Sequence, residues 1–252
     1  MPKHTSKVDF NHNAWKTPVH FPHLSIDEVH VWHVNLLSEA EKQFDYYWNT
    51  LSIEEKERAH RFHFKKDRDQ FVVAKGITRI LLGKYILSAA KDIKFDFNSF
   101  GKPRLAGDYP IQFNISHAGG MGLFAFILHS PVGADIEKIN PTIEVQKIAK
   151  RFFSSEETHK ILNLPTAQQA KAFFTCWTRK EAFIKGHGEG LSLPLADFEV
   201  SILAEEPVAM LKIKWSPAEI HQWQLLKITV GNAYKAAVAI KGKVKKVRLF
   251  TY

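Results

Sequence analysis

Two long stretches of helical apolar spacing, each set among runs of strand character, constrain this chain more than any other feature. In the first, residues 67–87, Phe71, Ala74, Ile77, Thr78, Leu81 and Tyr85 recur at helical spacing. The second spans residues 166–185. Ahead of the first, Val29, Val31, His33 and Asn35 alternate with His30, Trp32, Val34 and Leu36, which predicts a strand. Ser38 reads as the cap of a helix reaching residue 49, and Ser52 with Glu55 as the capping box of the next. Ile93, Phe95 and Phe97 give a period-2 strand. Residues 111–128 hold two apolar runs around Ser116-His117-Ala118-Gly119-Gly120, the pattern of a hairpin. Residues 131–140 read as another strand, followed by helices at 143–152 and 155–162. Beyond the second long helix, strands are predicted at 198–203, 209–215, 223–230 and 234–241. Each half therefore runs strand, helices, strands, which predicts an α+β fold built from a duplicated unit, although no residue-level repeat is visible.

The expected division is an N-terminal arm at 1–28, an N-terminal subdomain at 29–130 and a C-terminal subdomain at 131–252. With 252 residues, 45% of them hydrophobic and 24% charged, disorder and a disulfide scaffold are excluded. The single cysteine, Cys176, fits a reducing compartment, and the longest apolar stretch, residues 121–128, is far short of the ~20 residues needed to span a bilayer. No secretory signal is visible, so a soluble, cytoplasmic protein is expected. The formal charge of +9 points to polyanionic partners. Five basic residues, Lys241, Lys243, Lys245, Lys246 and Arg248, crowd late in the chain, where they read equally as a solvated edge or a docking patch.

Three segments place polar residues in apolar surroundings. In Val132-Gly133-Ala134-Asp135-Ile136-Glu137-Lys138-Ile139, Asp135 and Glu137 project from the same face of a strand. Two adjacent carboxylates repel unless a cation joins them, and hard oxygen ligands suit Mg²⁺; the alternative is a solvated edge strand. In residues 174–191, Trp177, Glu181 and Lys185 share one helix face, while Lys180 lies about 100° from Glu181. That places an acid and a cation together, or makes an ordinary surface pair beside a core Trp. In Gln112-Phe113-Asn114-Ile115-Ser116-His117, adjacent Ser and His point to opposite strand faces, which argues against a Ser-His nucleophile. With the Gly101-Lys102-Pro103-Arg104 turn before it, the segment reads as a donor set for phosphate oxygens. No H-E-x-x-H or Cys-rich set occurs, so zinc chemistry is not expected.

In this order and spacing, GKPRL, FNISH, VGADIEKI and FTCWTRKEAFIKGHGEGLSLPL resemble the Sfp-type 4'-phosphopantetheinyl transferases over about residues 29–230. The resemblance implies a fold of two similar α/β subdomains with pseudo-twofold symmetry. It also implies an enzyme that moves the phosphopantetheine of coenzyme A onto a serine of an acyl or peptidyl carrier protein, as a monomer. It assigns Asp135, Glu137 and Glu181 to Mg²⁺, Glu181 as base for the carrier serine, and Lys185 as the cation on the departing 3',5'-ADP. Gly101, Lys102 and Pro103 would lie near the adenine, Ser116 and His117 near the phosphates, and Arg58 and Lys75 near the 3'-phosphate. Asp135 and Lys185 would also meet coenzyme A. The chain departs from the pattern at Glu55, where some relatives carry lysine, at Ala134, which replaces a larger aliphatic, and in the arm, which has no counterpart. Two other readings are a catalytically weak homologue that only binds coenzyme A or carrier, and a basic Mg²⁺-dependent nucleic-acid enzyme, for which no motif speaks. Neither nucleic acid nor membrane is expected as a partner.

Overall fold

The protein was analysed as a computed structural model, which describes residues 9–10, 15–203 and 205–252. Of the expected arm, residues 1–8 and 11–14 lie outside the described residues. In chain order the elements are β1 (Asp9–Phe10), β2 (Glu28–Asn35), α1 (Leu36–Trp48), α2 (Ile53–His60), α3 (Lys65–Ile86), β3 (Phe95–Phe97), β4 (Pro103–Leu105), β5 (Ile111–Ala118) and β6 (Met121–Leu128). Then follow β7 (Val132–Lys138), α4 (Val145–Phe152), α5 (Ser155–Leu162), α6 (Thr166–His187), β8 (Phe198–Val200), β9 (Met210–Ile213), β10 (Trp223–Ile228), β11 (Tyr234–Lys241) and β12 (Lys246–Thr251).

A five-stranded sheet runs β1-β12-β2-β6-β5, and a three-stranded sheet runs β10-β11-β7. The two sheets pack face to face, because strand alternation divides the apolar residues into two sets. On β2 and β6, Val29, Val31, Leu123, Ala125 and Ile127 meet Val132, Ala134, Ile136, Val238 and Ile240 of the smaller sheet. The intervening Trp32, Val34, Phe124 and Phe126 turn outward under α3, against Val73, Ile77 and Leu81. On the far side, Ala237, Ala239 and Leu225 lie under Phe173, Ala182 and Phe183 of α6. Four layers result, helices on the outside and two sheets within.

Several local predictions hold. The Ser52–Glu55 capping box is formed, and Gly119 and Gly120, at φ 57° and 89°, make the two-residue turn between β5 and β6. The predicted cap at Ser38 is corrected: Asn35 caps α1, and its side chain accepts from the Ser38 backbone N–H. The placement of residues 246–251 is also corrected. β12 does not join the second half but pairs in parallel with β2, and with β1 on its other side. Two of the five late cations are answered there by acids of the first half. Lys245 lies 3.1 Å from Asp27, and Arg248 lies 3.9 Å from Glu28 and over the Phe250 ring. Beneath them, Trp32 Nε1 donates to the Tyr85 hydroxyl (2.9 Å), which meets His30 Nδ1 (2.8 Å), while His30 Nε2 meets Glu28 (3.1 Å). Burial holds His30 down at about 4, so it is neutral, with Nε2–H donating to Glu28 and Tyr85 O–H donating to Nδ1.

Candidate active site

The chemistry collects where β7 passes beneath α6. The approach is closer than side chains on both partners would allow. A Cβ on Gly133 would stand 2.8 Å from Gly186 Cα and closer still to the Ala182 carbonyl oxygen and the Gly186 nitrogen. Glycine at both positions lets the strand backbone lie directly on the helix. Asp135 and Glu137 follow Gly133 on that same strand face and so come up against the helix face that carries Glu181 and Lys185.

Asp135 is 2% exposed, and its Oδ1 accepts from Lys185 Nζ (2.6 Å) and from the Ser116 hydroxyl (2.9 Å). Lys185 also donates to the Ser116 oxygen (3.1 Å). Asp135 Oδ2 is buried with no partner among the described residues, an orphaned lone-pair set in a place where such groups are costly. Burial, and then the neighbouring charge of Asp135, push Glu137 up to about 7, with Glu181 adding to the repulsion. Burial and Asp135 raise Glu181 in the same way, while Lys185 opposes the shift in both. The three carboxylates thus share one electrostatic neighbourhood with the Lys185 ammonium. Among the described residues, no three ligand-type side chains are drawn in tightly enough to hold an ion as they stand. The donor set nonetheless fits a hard divalent cation, for which the free Asp135 oxygen and two destabilised carboxylates are suitable oxygen ligands.

The donors expected for phosphate divide. Ser116 points inward to Asp135, whereas His117 faces out and makes no bond to Ser116. Although the residue is exposed, partial desolvation of its ring, then the charges of Lys185 and Lys75, lower His117, and Asp67 opposes them. His117 therefore stands between α3 and α6, close to cations from both. Lys75 is depressed by burial, with Arg58 and Arg79 adding to the effect, and lies over the Phe95 ring at 6.0 Å. Arg58 is exposed over Phe71, at 5.3 Å, and lines a surface depression with Arg61 and Phe62. Glu55 is held by Arg79 Nε (2.6 Å), so it takes no part in phosphate contact.

Lys102 is not aimed at an anion. Its ammonium donates to the Gly186 carbonyl (2.9 Å) and the Val132 carbonyl (3.1 Å), and burial lowers it to about 8. Asn98 Nδ2 donates to the Gly188 carbonyl (2.8 Å), and its Oδ1 accepts from the Lys102 backbone N–H. The turn around Gly101 and Pro103 is thereby clasped onto the C-terminal end of α6.

The roles of three supporting residues were not legible in the sequence. Lys180 is fully buried, 2.7 Å from Glu157 and bonded to the Leu195 and Phe198 carbonyls, so it anchors α6 to α5 and β8. Glu157 is the second: its other oxygen accepts from the Val200 N–H, and its place as the third residue of α5, in a capping box with Ser154, was the available signal. Asn114 is the third, accepting the Ala134 N–H (2.8 Å) and tying β5 to β7; its place in a buried strand was the available clue.

Residues 131–239 match the family model of the 4'-phosphopantetheinyl transferase superfamily, and residues 38–127 match that of the 4'-phosphopantetheinyl transferase N-terminal region. The 4'-phosphopantetheinyl transferase HetI of Nostoc sp. is 36% identical over 226 residues, 88% of this chain and 92% of the relative. This chain belongs to the 4'-phosphopantetheinyl transferase family. The transferase is also 33% identical to 4'-phosphopantetheinyl transferase Sfp of Bacillus subtilis over 200 residues, 79% of this chain and 86% of that protein. A solved holo-(acyl-carrier-protein) synthase of Bacillus anthracis, in complex with CoA (3',5'-ADP), superposes with a TM-score of 0.34 at 19% identity, covering 44% of this chain and 93% of that one. Among the described residues, no helix of the transferase is long and apolar enough to cross a membrane.

Proposed function

We propose that this enzyme moves the 4'-phosphopantetheine of coenzyme A to a serine of an apo acyl or peptidyl carrier protein, with Asp135, Glu137 and Glu181 holding Mg²⁺. The observation that carries the reading is the unpartnered, buried Oδ2 of Asp135 beside two carboxylates whose pKa values are raised. When bound, the cation would neutralise charge on the pyrophosphate oxygens.

The chain's own groups account for the remaining steps. Glu181 takes the proton of the carrier serine. The serine oxygen then bonds to the pantetheine-side phosphorus, and the bond from that phosphorus to the departing 3',5'-ADP oxygen breaks. Lys185, held by Asp135 and Ser116, presents its ammonium to the charge that develops there. His117, Lys75 and Arg58 supply donors to the nucleotide phosphates. The Gly101–Pro103 turn lies along the adenine through its backbone and ring, with Lys102 bracing the turn instead of touching the ligand. The same proposal includes a boundary between two subdomains near residue 130, a monomer, and work in the cytoplasm.

Incubation with coenzyme A, Mg²⁺ and a panel of apo carrier proteins tests it. The carrier mass should rise by one phosphopantetheine, and Asp135→Ala and Glu181→Ala should abolish the gain while folding as the parent does. Unchanged carrier masses across the panel refute the assignment.

A further inference from the structure

Lys102 stands where the first half meets the crossing of β7 and α6, and its bonds reach both partners of that crossing. α6 ends at Gly188, whose φ of 92° stops the helix while its N–H donates to Ile184, so carbonyls of the last turn such as that of Gly186 have no helical donor. The first half supplies one. Lys102 Nζ donates to the Gly186 carbonyl (2.9 Å) and to the Val132 carbonyl (3.1 Å), which takes up two of its three N–H donors. Val132 immediately precedes Gly133, and Gly186 belongs to the stretch of helix backbone on which Gly133 lies. The ammonium therefore ties strand to helix at the point of closest backbone approach, with Asp135 and Glu137 just beyond it on β7 and Glu181 and Lys185 just before it on α6. It makes no ion pair among the described residues, so carbonyl oxygens and the negative end of the α6 dipole hold its charge.

The lysine is itself held in place. Asn98 Oδ1 accepts from the backbone N–H groups of Lys102 (2.8 Å) and Phe100 (3.0 Å), and the Asn98 N–H donates to the Lys102 carbonyl (3.1 Å). Asn98 Nδ2 donates to the Gly188 carbonyl (2.8 Å), and a Cβ on Gly188 would stand 3.4 Å from Lys102 Cδ, so the aliphatic stem packs on the helix end as well.

We propose that Lys102 is a positioning residue for the Mg²⁺ carboxylates: by pinning Val132 to Gly186 it fixes how far Asp135 and Glu137 on β7 stand from Glu181 on α6. This rests on the reading of those three as metal ligands given above. Asp135 repels both Glu137 and Glu181, so the strand and the helix are pushed apart at the site while no cation is bound. A clamp from outside the ligand set keeps the donors gathered against that repulsion. Groups that orient ligands in this way carry roughly 10–100-fold of metal affinity.

The test is calorimetry on the full chain: Mg²⁺ titrated into its coenzyme A complex with no carrier present, and coenzyme A titrated into the chain in EDTA. Lys102→Met keeps the stem and removes the donors. It should weaken Mg²⁺ about tenfold while affinity for coenzyme A in EDTA stays within about twofold. Lys102→Cys, alkylated with 2-bromoethylamine to give thialysine, should recover most of the Mg²⁺ affinity; the chain's own cysteine, Cys176, is buried. Unchanged Mg²⁺ affinity in Lys102→Met overturns the proposal, even if the urea midpoint falls. So does a loss of coenzyme A affinity in EDTA as large as the loss for Mg²⁺, which would put the ammonium on the nucleotide. If Lys102→Met does not fold, Asn98→Ala replaces it: freeing the turn from Gly188 should weaken Mg²⁺ about threefold, and no change overturns the proposal. A parent chain whose coenzyme A complex binds no Mg²⁺ overturns the ligand reading as well.

Discussion

Gly133→Ala tests how the site is assembled. The new Cβ would lie 2.8 Å from Gly186 Cα and closer still to two other backbone atoms of α6. Carbon atoms pack at about 3.5–4.0 Å, so the helix must retreat from β7 by about 1 Å. No flexible side chain end can absorb this, because the three atoms nearest to that Cβ all belong to the helix backbone. Overpacking of this kind costs about 1–3 kcal/mol, and the backbone origin of the clash argues for the upper part of that range. The functional effect should be larger than the loss of stability suggests. The Lys185–Asp135 contact of 2.6 Å spans the same interface, and a retreat of about 1 Å takes it beyond hydrogen-bond length. Misplacement on that scale costs on the order of 100-fold in turnover. Urea unfolding followed by Trp fluorescence gives the first quantity, and single-turnover carrier modification the second. A variant with the parent's urea midpoint and turnover would refute the idea that backbone contact at this glycine sets the distance between the two catalytic elements.

Lys180→Met should cost about 3–5 kcal/mol in chemical denaturation, because it leaves Glu157 as an uncompensated buried charge. Tyr85→Phe removes the acceptor of Trp32 and the donor to His30 and should cost about 1–3 kcal/mol, read from the same denaturation curves. The raised pKa of Glu137 predicts that, in EDTA, the protein loses stability as pH rises from near the ordinary glutamate value of 4.5 through about 7, since the folded state resists the ionised form. Added Mg²⁺ should reverse that loss and Glu137→Gln should remove it, and a variant whose pH profile matches the parent's between pH 5 and 8 would contradict it. His30 acts over an overlapping range with the opposite sign: its folded pKa of about 4 lies below its ordinary 6.5, so its own contribution falls as pH drops from 6.5 toward 4, and His30→Gln should remove that contribution.

Periodicity revealed most of the elements because the layers divide their residues cleanly by face. The long helices α3 and α6, the β5–β6 hairpin and the bounds of α5 and β11 all follow from patterns of spacing. The pair Asp135 and Glu137 was legible for the same reason, as a strand places residues two apart on one face. What was not legible depends on contacts distant in sequence. The latch role of Lys102 requires carbonyls at Val132 and Gly186, and nothing in the Gly-Lys-Pro turn announces them. Lys180 could be placed only on a different helix face from Glu181, because its partner Glu157 lies on another helix. β12 was hidden by its cations: Lys246 and Arg248 broke the apolar reading of a strand whose Val247 and Phe250 are buried on opposite faces.

The position of β12 between β1 and β2 governs the order of events during synthesis. His33 and Thr251 bond across a separation of 218 residues, so the larger sheet gains its β12–β2 parallel pair only after residues 246–251 have been made. Until then β2 has a bare edge, with Val29, Val31 and Trp32 beside it, available to any other nascent strand. Closing such a long loop is slow, and delay at an unpaired edge favours misassembly. The first half should therefore fail to mature when expressed alone, even though it contains a helix layer and much of a core. Co-expression with a separate second half that includes residues 246–251 should rescue it.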